Sequence, residues 1–315
     1  MSTRQKPEPF HPDLRLARWL PLVSAGPRTL WMFRLSPPGI RPVSDTNVDT
    51  VPFAGPAGDM PYRVFRPLDA ATPRPALLWI HGGGLILGTP QQDDASNLAL
   101  SRELGIPVFS AAYRLAPDHP APAALDDLVA GFRALVERAD EFGIDPSRIA
   151  IGGASAGGGL AAALAQRLHD EGGTQPVFQL LVYPMLDDRT VLRDDIDRRH
   201  LRMWSPESNR YGWSAYLGTD AGAPGIPSSL VPARREDLSG LPPAWIGVGT
   251  LDLFHDEDLE YARRLEEAGV PCELRVVPGA FHGFDAVFRN AGVTRAFHSE
   301  WARVLREAFA RAGTA

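Results

Sequence analysis

The sequence predicts an α/β fold with a mostly parallel central sheet flanked by helices. From about residue 60, short apolar runs bounded by Gly or Pro alternate with longer stretches whose apolar residues recur every three or four positions. Short runs of this kind are typical of strands buried on both faces, and the longer periodicity is typical of amphipathic helices. Strands that alternate with helices predict a doubly wound sheet.

Each element follows from its own pattern. The stretch 125–136 has one apolar face, 160–168 is rich in the strong helix former Ala, and 259–268 is ended by Gly269 and Pro271. In sheets of this class, active sites lie where strands end and helices begin. The predicted strands are residues 76–80, 107–113, 148–151, 177–183, 244–248 and 273–277.

Two segments do not follow the alternation. We predict that residues 1–50 and 186–230 together form a discontinuous helical cap, and that residues 51–185 and 231–315 form the two parts of the α/β core. The cap explains the length of the chain, because 315 residues exceed the roughly 200–250 residues of a common single α/β domain. The excess length is therefore where specificity is expected to lie.

Four of the seven tryptophans lie in these two segments, and two interpretations are open for them. Trp19, Trp31, Trp204 and Trp213 either line an acyl pocket or form the cap's own small core, because aromatic side chains bury large areas wherever they pack.

The N-terminal segment is also rich in arginine, as are helices that lie on membrane surfaces. Pro21 and Pro27 interrupt the stretch, so we do not predict a membrane-surface helix. The arginines concerned are Arg15, Arg18, Arg28 and Arg34.

The strand at 148–151 leads directly into Gly153-Ala154-Ser155-Ala156-Gly157. A G-x-S-x-G sequence between a strand and a helix is typical of a nucleophile elbow, in which small neighbours let the chain turn sharply and hold the serine hydroxyl above the sheet. The following helix places its positive end beneath that hydroxyl. We therefore predict Ser155 as a catalytic nucleophile.

The same corner also fits a weaker alternative. Gly157-Gly158-Gly159 satisfies a loose dinucleotide-binding pattern, which would make the protein a nicotinamide-dependent oxidoreductase. The next strand ends in Tyr183-Pro184 rather than in the acid that a ribose needs, which favours the elbow.

A second Gly-rich corner, His81-Gly82-Gly83-Gly84, follows an earlier strand. Acyl-transfer enzymes need backbone N–H donors aimed at the oxyanion of the tetrahedral intermediate, and glycines let the backbone approach it closely. One further donor comes from the residue after the nucleophile, here Ala156. We predict an oxyanion hole formed by this loop and Ala156, with His81 and Gly82 supporting the motif.

A serine nucleophile also needs a histidine base. His282 follows the strand at 273–277 in a Gly-punctuated loop that can carry the ring back over the elbow, so we predict it as the base. His169 and His298 fall within predicted helices and His200 within the irregular segment, so these are interpreted as surface or packing residues.

The acid that orients the base is expected at the end of the preceding strand, where the chain reaches Asp252. Asp187 and Asp188 follow another strand end and stay open as alternatives. Asp256 and Glu257 begin the next helix and are explained as solvated carboxylates that the helix dipole favours.

These motifs together resemble the hormone-sensitive-lipase family of α/β-hydrolases, particularly its bacterial esterases. The resemblance implies an α/β-hydrolase fold with a helical cap and a carboxylesterase acting on short- to medium-chain acyl esters. It also implies Ser155, Asp252 and His282 as the catalytic triad. The same resemblance implies Gly83, Gly84 and Ala156 as the oxyanion donors. The motifs that carry it are His81-Gly82-Gly83-Gly84, Tyr113-Arg114-Leu115-Ala116-Pro117, Ser155 with Gly157-Gly158, Asp252 with Asp256-Glu257, and His282-Gly283-Phe284.

Composition excludes several other classes of protein. The 32 basic and 38 acidic residues give a net charge of −6 with no long run of like charge, so no nucleic-acid partner is expected. The one cysteine, Cys272, cannot form an intramolecular disulfide and is interpreted as a small buried residue at the start of a strand.

The remaining expectations concern location and partners. Prolines and acids occupy the place of a secretory signal, and no apolar run approaches the roughly 18 residues of a membrane span, so we predict a cytoplasmic protein without integral membrane association. The predicted partner is a small-molecule ester, the chemistry needs no cofactor and no metal, and a homodimer is left open. A non-catalytic binding protein on this fold is disfavoured because all three triad positions are filled.

Overall fold

The computed structural model describes residues 9–22, 24–35, 43, 45, 47–68 and 73–314. Parts of the predicted N-terminal cap segment, residues 1–50, therefore lie outside the described residues. The described strands are β1 (Val48–Gly55), β2 (Gly58–Phe65), β3 (Arg74–Ile80), β4 (Val108–Ala111), β5 (Ile144–Ala154), β6 (Gln179–Val182), β7 (Ala244–Leu251) and β8 (Cys272–Phe281).

The eight strands form one sheet in the order β1-β2-β4-β3-β5-β6-β7-β8. Strands β4, β3, β5, β6, β7 and β8 pair in parallel, and only β1 and β2 are antiparallel. The predicted α/β-hydrolase fold with a mostly parallel sheet is confirmed, and the six predicted apolar runs correspond to β3 through β8.

The sequence pattern did not predict β1 and β2. β1 is the edge strand and β2 is its neighbour, and both expose many of their side chains, so neither has a continuous apolar run. They also contain Pro52 and Pro61, which pair with each other across the hairpin. Proline is found in sheets mainly at edges, where an N–H donor is not needed.

Helices cover both faces of the sheet, as a doubly wound fold requires. On one face α3, α5 and α7 pack over residues such as Leu78 and Ile80, and on the other α2 and α9 pack over Leu77 and Trp79. Successive residues of β3 point to opposite faces, which explains its continuous apolar run. The described helices are α1 (Leu30–Leu35), α2 (Asp94–Leu104), α3 (Ala123–Glu137), α4 (Ala139–Phe142), α5 (Ala156–Glu171), α6 (Pro206–Leu217), α7 (His255–Glu267), α8 (Phe284–Val287) and α9 (Gly292–Ala312).

The N-terminal segment and the 186–230 segment are joined by polar contacts. Ser24 Oγ and Ser205 Oγ are 2.7 Å apart, the N–H of Ala25 donates to Ser208 Oγ at 2.8 Å, and Arg202 Nε donates to Ala17 O at 2.8 Å. The division of the chain into core and cap at the predicted boundaries stays a prediction. The irregular pieces of these segments are the 3-10 helices Pro12–Trp19, Asp188–Leu192 and Ser228–Leu230, and a further 3-10 helix, Pro232–Arg234, follows the second segment.

Two further predictions concern Cys272 and the absence of membrane-spanning helices. Cys272 begins β8 as predicted, but it is half-buried, and burial raises the pKa of its thiol to about 12. Within the described ranges, no helix has both the length and the apolar character needed to cross a membrane. The cytoplasmic location stays a prediction.

Candidate active site

Ser155 occupies the turn between β5 and α5. Its φ is 58° and its ψ is −123°, a conformation that residues other than glycine rarely adopt. The neighbouring backbone holds it there, because the Ser155 N–H donates to Val182 O and the Met185 N–H donates to Ser155 O, both at 2.9 Å. A Cβ atom at Gly157 would overlap the carbonyl of Ile80, so the glycine lets the elbow pack directly against the end of β3.

The structure brings the three predicted triad residues into one hydrogen-bonded chain. His282 Nε2 lies 2.9 Å from Ser155 Oγ, and His282 Nδ1 lies 2.9 Å and 3.1 Å from the two carboxylate oxygens of Asp252. Asp252 is further fixed by the Phe254 N–H, which donates to its Oδ1 at 3.0 Å. All three side chains are buried. Such an arrangement gives the serine a base and gives that base a carboxylate that orients it.

Two aromatic rings confine the His282 imidazole, and sequence reasoning missed both. Tyr183 and Phe254 stand edge-on to it, with ring centroids 4.8 Å and 5.1 Å away. The Tyr183 hydroxyl donates to Asp285 Oδ1 at 2.8 Å. The available signal was positional, because Tyr183 ends β6 directly beside the strand that carries the elbow.

A second carboxylate–histidine pair lies behind this ring. His298, interpreted from the sequence as a surface or packing residue, places its Nε2 3.0 Å from Asp285 Oδ2. Burial works to raise the pKa of the Asp285 carboxyl, but the hydrogen bonds from His298 and Tyr183 hold it below its ordinary value. The packing interpretation is therefore incomplete, because His298 is a hydrogen-bond partner of the buried Asp285.

The predicted oxyanion loop lies next to the serine. A Cβ atom at Gly82 would approach Ser155 Cβ to 3.3 Å, so the loop and the elbow are in contact. The Gly83 carbonyl accepts from the N–H groups of Ile86 and Leu87 at 3.2 Å and 2.9 Å, and this tight turn orients the loop. As the first residue of α5, Ala156 has an N–H without an intrahelical acceptor.

His81 supports this loop and does not face the serine. Its ring stacks on Tyr113 with centroids 4.2 Å apart, and its Nδ1 lies 2.9 Å from Gly82 O. The Tyr113 hydroxyl donates to His81 O at 2.8 Å. Burial lowers the pKa of His81 to about 4, so the ring is neutral near pH 7.

The 186–230 segment reaches the oxyanion loop through Trp204 and Gly212. A Cβ atom at Gly84 would overlap the Trp204 ring, and one at Gly212 would lie 2.5 Å from Gly84 O. Trp204 and Trp213 are both buried, whereas Trp19 and Trp31 are 75% and 60% exposed. Because they are exposed, Trp19 and Trp31 neither line an acyl pocket nor form a small core of the cap, so both interpretations are wrong for these two residues.

The alternative acids are engaged elsewhere. Asp188 is buried, and its carboxylate oxygens accept hydrogen bonds from Arg234 Nε at 2.7 Å and Arg234 Nη2 at 2.9 Å. The Asp187 carboxylate accepts a hydrogen bond from Arg189 Nε. The expectation of a solvated Glu257 is wrong, because this residue is buried and accepts from the Leu186 N–H at 2.7 Å and from the Thr190 hydroxyl. Burial raises the pKa of Glu257 well above its ordinary value.

The glycines of the dinucleotide alternative have a packing role. A Cβ atom would overlap Ile80 O at Gly157 and Met185 O at Gly159, and it would lie 2.9 Å from Pro184 Cβ at Gly158. Close packing of α5 therefore accounts for the glycine run without a pyrophosphate. Among the described residues, no group of three or more His, Cys, Asp or Glu side chains is arranged to hold a metal ion.

Two cavities border the site. The larger, of ≈ 280 Å³, lies between residues 193–201 and the loop of Asp252, and it is lined mainly by charged and polar groups. The smaller is apolar and adjoins Ala156. Its volume is ≈ 10 Å³, which leaves room for roughly one water molecule. The side chains and glycine around the smaller cavity are Leu85, Ala156, Gly159, Leu160, Ala163, Met185, Trp213, Tyr216, Leu230 and Pro232.

Known proteins match this chain in sequence and in fold. A family model described as the alpha/beta hydrolase fold matches residues 77–286. The carboxylic ester hydrolase LipN of Mycobacterium tuberculosis is 37% identical over 86% of this chain and 73% of its own length. An ethyl acetate hydrolase of Pseudomonas putida is 34% identical over 71% of each chain. Among solved structures, a bacterial heroin esterase superposes with a TM-score of 0.87 at 35% identity, covering 95% of this chain and 98% of that one.

Proposed function

Because the chain belongs to the α/β-hydrolase family, in its hormone-sensitive-lipase-like branch of carboxylic ester hydrolases, we propose that it cleaves short- to medium-chain acyl esters through an acyl-enzyme on Ser155. The observation that carries this proposal is the hydrogen-bonded chain from Ser155 Oγ through His282 to Asp252. That chain lies beside a glycine loop able to receive an oxyanion.

In the first half-reaction, Ser155 Oγ attacks the ester carbonyl carbon while His282 Nε2 takes the hydroxyl proton. Asp252 holds the tautomer in which Nδ1 carries the other proton and stabilises the imidazolium that forms. When the tetrahedral intermediate collapses, the bond to the alcohol oxygen breaks and His282 returns its proton to the leaving alcohol. Ser155 then carries the acyl group as an ester.

In the second half-reaction, His282 takes a proton from water, whose oxygen attacks the acyl carbon. Collapse of this intermediate releases the carboxylic acid, and the proton on His282 returns to Ser155 Oγ. In both halves we assign the N–H groups of Gly83, Gly84 and Ala156 to the negatively charged oxygen. Loss of one such donor costs about 10²–10³ in turnover in enzymes of this kind.

We place the acyl chain in the small apolar cavity beside Ala156. Its walls are buried except for the half-buried Leu230, and Trp213 and Tyr216 line it with ring centroids 6.0 Å apart. A space of this size favours an acetyl group over longer chains, because each added methylene must displace packed side chains. The match to an ethyl acetate hydrolase supports the same end of the chain-length range.

Active-site labelling tests the nucleophile. A fluorophosphonate probe is expected to label the wild-type protein once per chain. Ser155→Ala is expected to abolish labelling and to lower kcat for ester hydrolysis by about 10⁴–10⁶. Ser299→Ala, an exposed position on α9, is the matched control. Retention of most hydrolysis by pure Ser155→Ala protein contradicts the assignment.

Initial rates on p-nitrophenyl acetate, butyrate, hexanoate and decanoate test the acyl site. We expect the wild type to prefer the shortest chains, and Leu230→Ala to raise the butyrate to acetate ratio of kcat/KM several-fold, since Leu230 is a half-buried wall of the cavity. Leu68→Ala, at an exposed leucine elsewhere, should leave that ratio unchanged. A flat profile or a decanoate optimum contradicts this assignment and leaves the serine assignment intact.

A further inference from the structure

Exposed apolar side chains concentrate in one short part of the chain. Of the ten large apolar residues exposed in the described structure, five lie between positions 16 and 35. Exposed apolar residues scattered singly need no explanation, but a concentration of them marks an interaction surface. We call this set the N-terminal apolar face, and its members are Leu16 at 59% exposure, Trp19 at 75%, Trp31 at 60%, Met32 at 54% and Leu35 at 75%.

The 3-10 helix Pro12–Trp19 sorts its side chains into three rows. With about three residues per turn, positions three apart lie above one another. Leu14 and Ala17 form a row that is fully buried in the protein. Arg15 and Arg18 form a second, exposed row, and Leu16 and Trp19 form a third row that is apolar and exposed.

Helix α1 repeats this division with an α-helical period. Leu30 is buried and Phe33 is half-buried, whereas Trp31, Met32 and Leu35 lie on one outward face at spacings of three and four residues. The Trp31 indole N–H donates to Arg28 O at 3.0 Å, which holds the ring on the outside of the helix.

The charge of this segment is opposite to that of the protein. Residues 9–35 contain four arginines and a single acid, Asp13, in a chain whose net charge is −6. No ion pair in the described ranges involves Arg15, Arg18 or Arg28. The Arg18 guanidinium lies 5.2 Å from the Trp19 ring centroid, so cation and aromatic ring occupy the same patch.

Both halves of the face are tied to elements that border the active site. The His11 N–H donates to Gly279 O at 2.9 Å, three residues before His282. On the other side, Arg34 donates to Ile86 O at 3.1 Å, two residues after Gly84.

We propose that the N-terminal apolar face docks the protein onto an anionic phospholipid surface. Tryptophan and leucine would enter the boundary between headgroups and acyl chains, while Arg15, Arg18 and Arg28 meet the lipid phosphates. The charge selects this occupant over a second copy of the chain, because a symmetric contact would bring the same unpaired arginines against one another. Pro21 and Pro27 prevent one continuous helix. The surface is instead formed by two short helices, the 3-10 helix Pro12–Trp19 and α1.

Vesicle flotation with the full-length protein tests the proposal. We expect wild type to bind vesicles of phosphatidylcholine and phosphatidylglycerol in equal parts, with a blue shift of tryptophan emission. Trp19→Ser with Trp31→Ser should weaken binding at least about tenfold through lost apolar burial. Arg15→Gln, Arg18→Gln and Arg28→Gln together should weaken it by roughly 100-fold, since each cation near an anionic surface contributes to binding.

The matched control is Leu68→Ser, which removes an apolar side chain that is 71% exposed outside the face. It should bind the mixed vesicles as wild type does. Hydrolysis of a water-soluble acetate ester should be unchanged in every variant, which verifies folding, and the binding measurement itself does not depend on ester hydrolysis. Absent binding, or equal binding to vesicles of phosphatidylcholine alone, overturns the proposal. So does a wild-type dimer in sedimentation that the double tryptophan variant dissociates without any vesicle binding.

Discussion

The corner of the sheet that carries the triad and the segments that surround it are built by different physics. At the corner, Ser155, Asp252 and His282 follow strands of the parallel sheet and are fixed by backbone hydrogen bonds and aromatic packing. The described parts of the N-terminal segment and residues 186–230 contain short helices and irregular stretches, and they are joined by side-chain hydrogen bonds such as that between Ser24 and Ser205. The corner therefore holds reacting atoms in place, whereas the outer segments reach it through packing contacts such as that of Trp204 with Gly84.

The two regions meet where Trp204 covers Gly84. This contact lies on the oxyanion loop itself, so a change in the outer segment can alter the reacting geometry without touching the triad. The following predictions test how far the separation of the two regions extends.

The largest effect is expected within the corner. Asp252→Asn keeps the shape of the side chain but removes the charge that stabilises the protonated His282 and its tautomer, so kcat should fall by about 10⁴. Asp256→Asn changes an exposed carboxylate four residues away and should lie within a few-fold of wild type. Equal effects of the two substitutions on the hydrolysis rate would show that the acid has been wrongly assigned.

The next effect tests the contact between the regions. Gly84→Ala places a methyl group inside the Trp204 ring at a φ of 60°, and we expect kcat to fall about 100-fold as the loop shifts. Adding Trp204→Ala should restore part of this loss, which a double-mutant cycle measures. Gly105→Ala has a similar φ of 66° but open space around it, so it isolates the backbone strain. Strictly additive effects would mean that the outer segment does not constrain the loop.

A third prediction concerns the stability of the corner in acid. The folded-state pKa of His81 is about 4 against 6.5 in the unfolded chain, so between these values only the unfolded chain binds this proton. This group therefore lowers the free energy of unfolding as the pH falls from 6.5 towards 4, by about 3 kcal/mol in total. Urea titrations at pH 7 and pH 4.5 measure the loss of unfolding free energy between these two pH values. This loss should be smaller in His81→Asn than in wild type, whereas the exposed control His119→Asn should show the wild-type loss. If the unfolding free energy of His81→Asn depends on pH as that of the wild type does, this prediction is contradicted.

The smallest effect is expected in the outer region. Ser208→Ala removes the acceptor of the Ala25 N–H and one neighbour of Ser205, and should lower the free energy of unfolding by about 1 kcal/mol. Because these bonds position the outer segments, KM should change more than kcat. Steady-state kinetics and urea titration measure both quantities, and a larger loss in kcat than in KM would place this contact within the reacting machinery.

The predictable part of the molecule was the part with a repeating pattern. Strands β3 to β7 were visible as apolar runs because both of their faces are largely buried, whereas β8, at the other edge of the sheet, was visible although part of it is exposed. The edge strands β1 and β2 were missed because solvent covers much of them, and Glu257 was misjudged because a first-turn carboxylate is normally solvated. The exposure of Trp19 and Trp31 was also unpredictable, since the aromatic residue type by itself favours burial.

By itself, the sequence determined the parallel part of the sheet, the elbow and the identity of the residues with catalytic potential, because short-range backbone requirements leave a readable signature in glycine spacing and apolar runs. Only the tertiary structure decided that Tyr183 and Phe254 confine His282, that His298 pairs with Asp285, and that Trp204 covers Gly84. These contacts join residues far apart in the chain. Their geometry depends on how separate elements pack, and no local pattern records it.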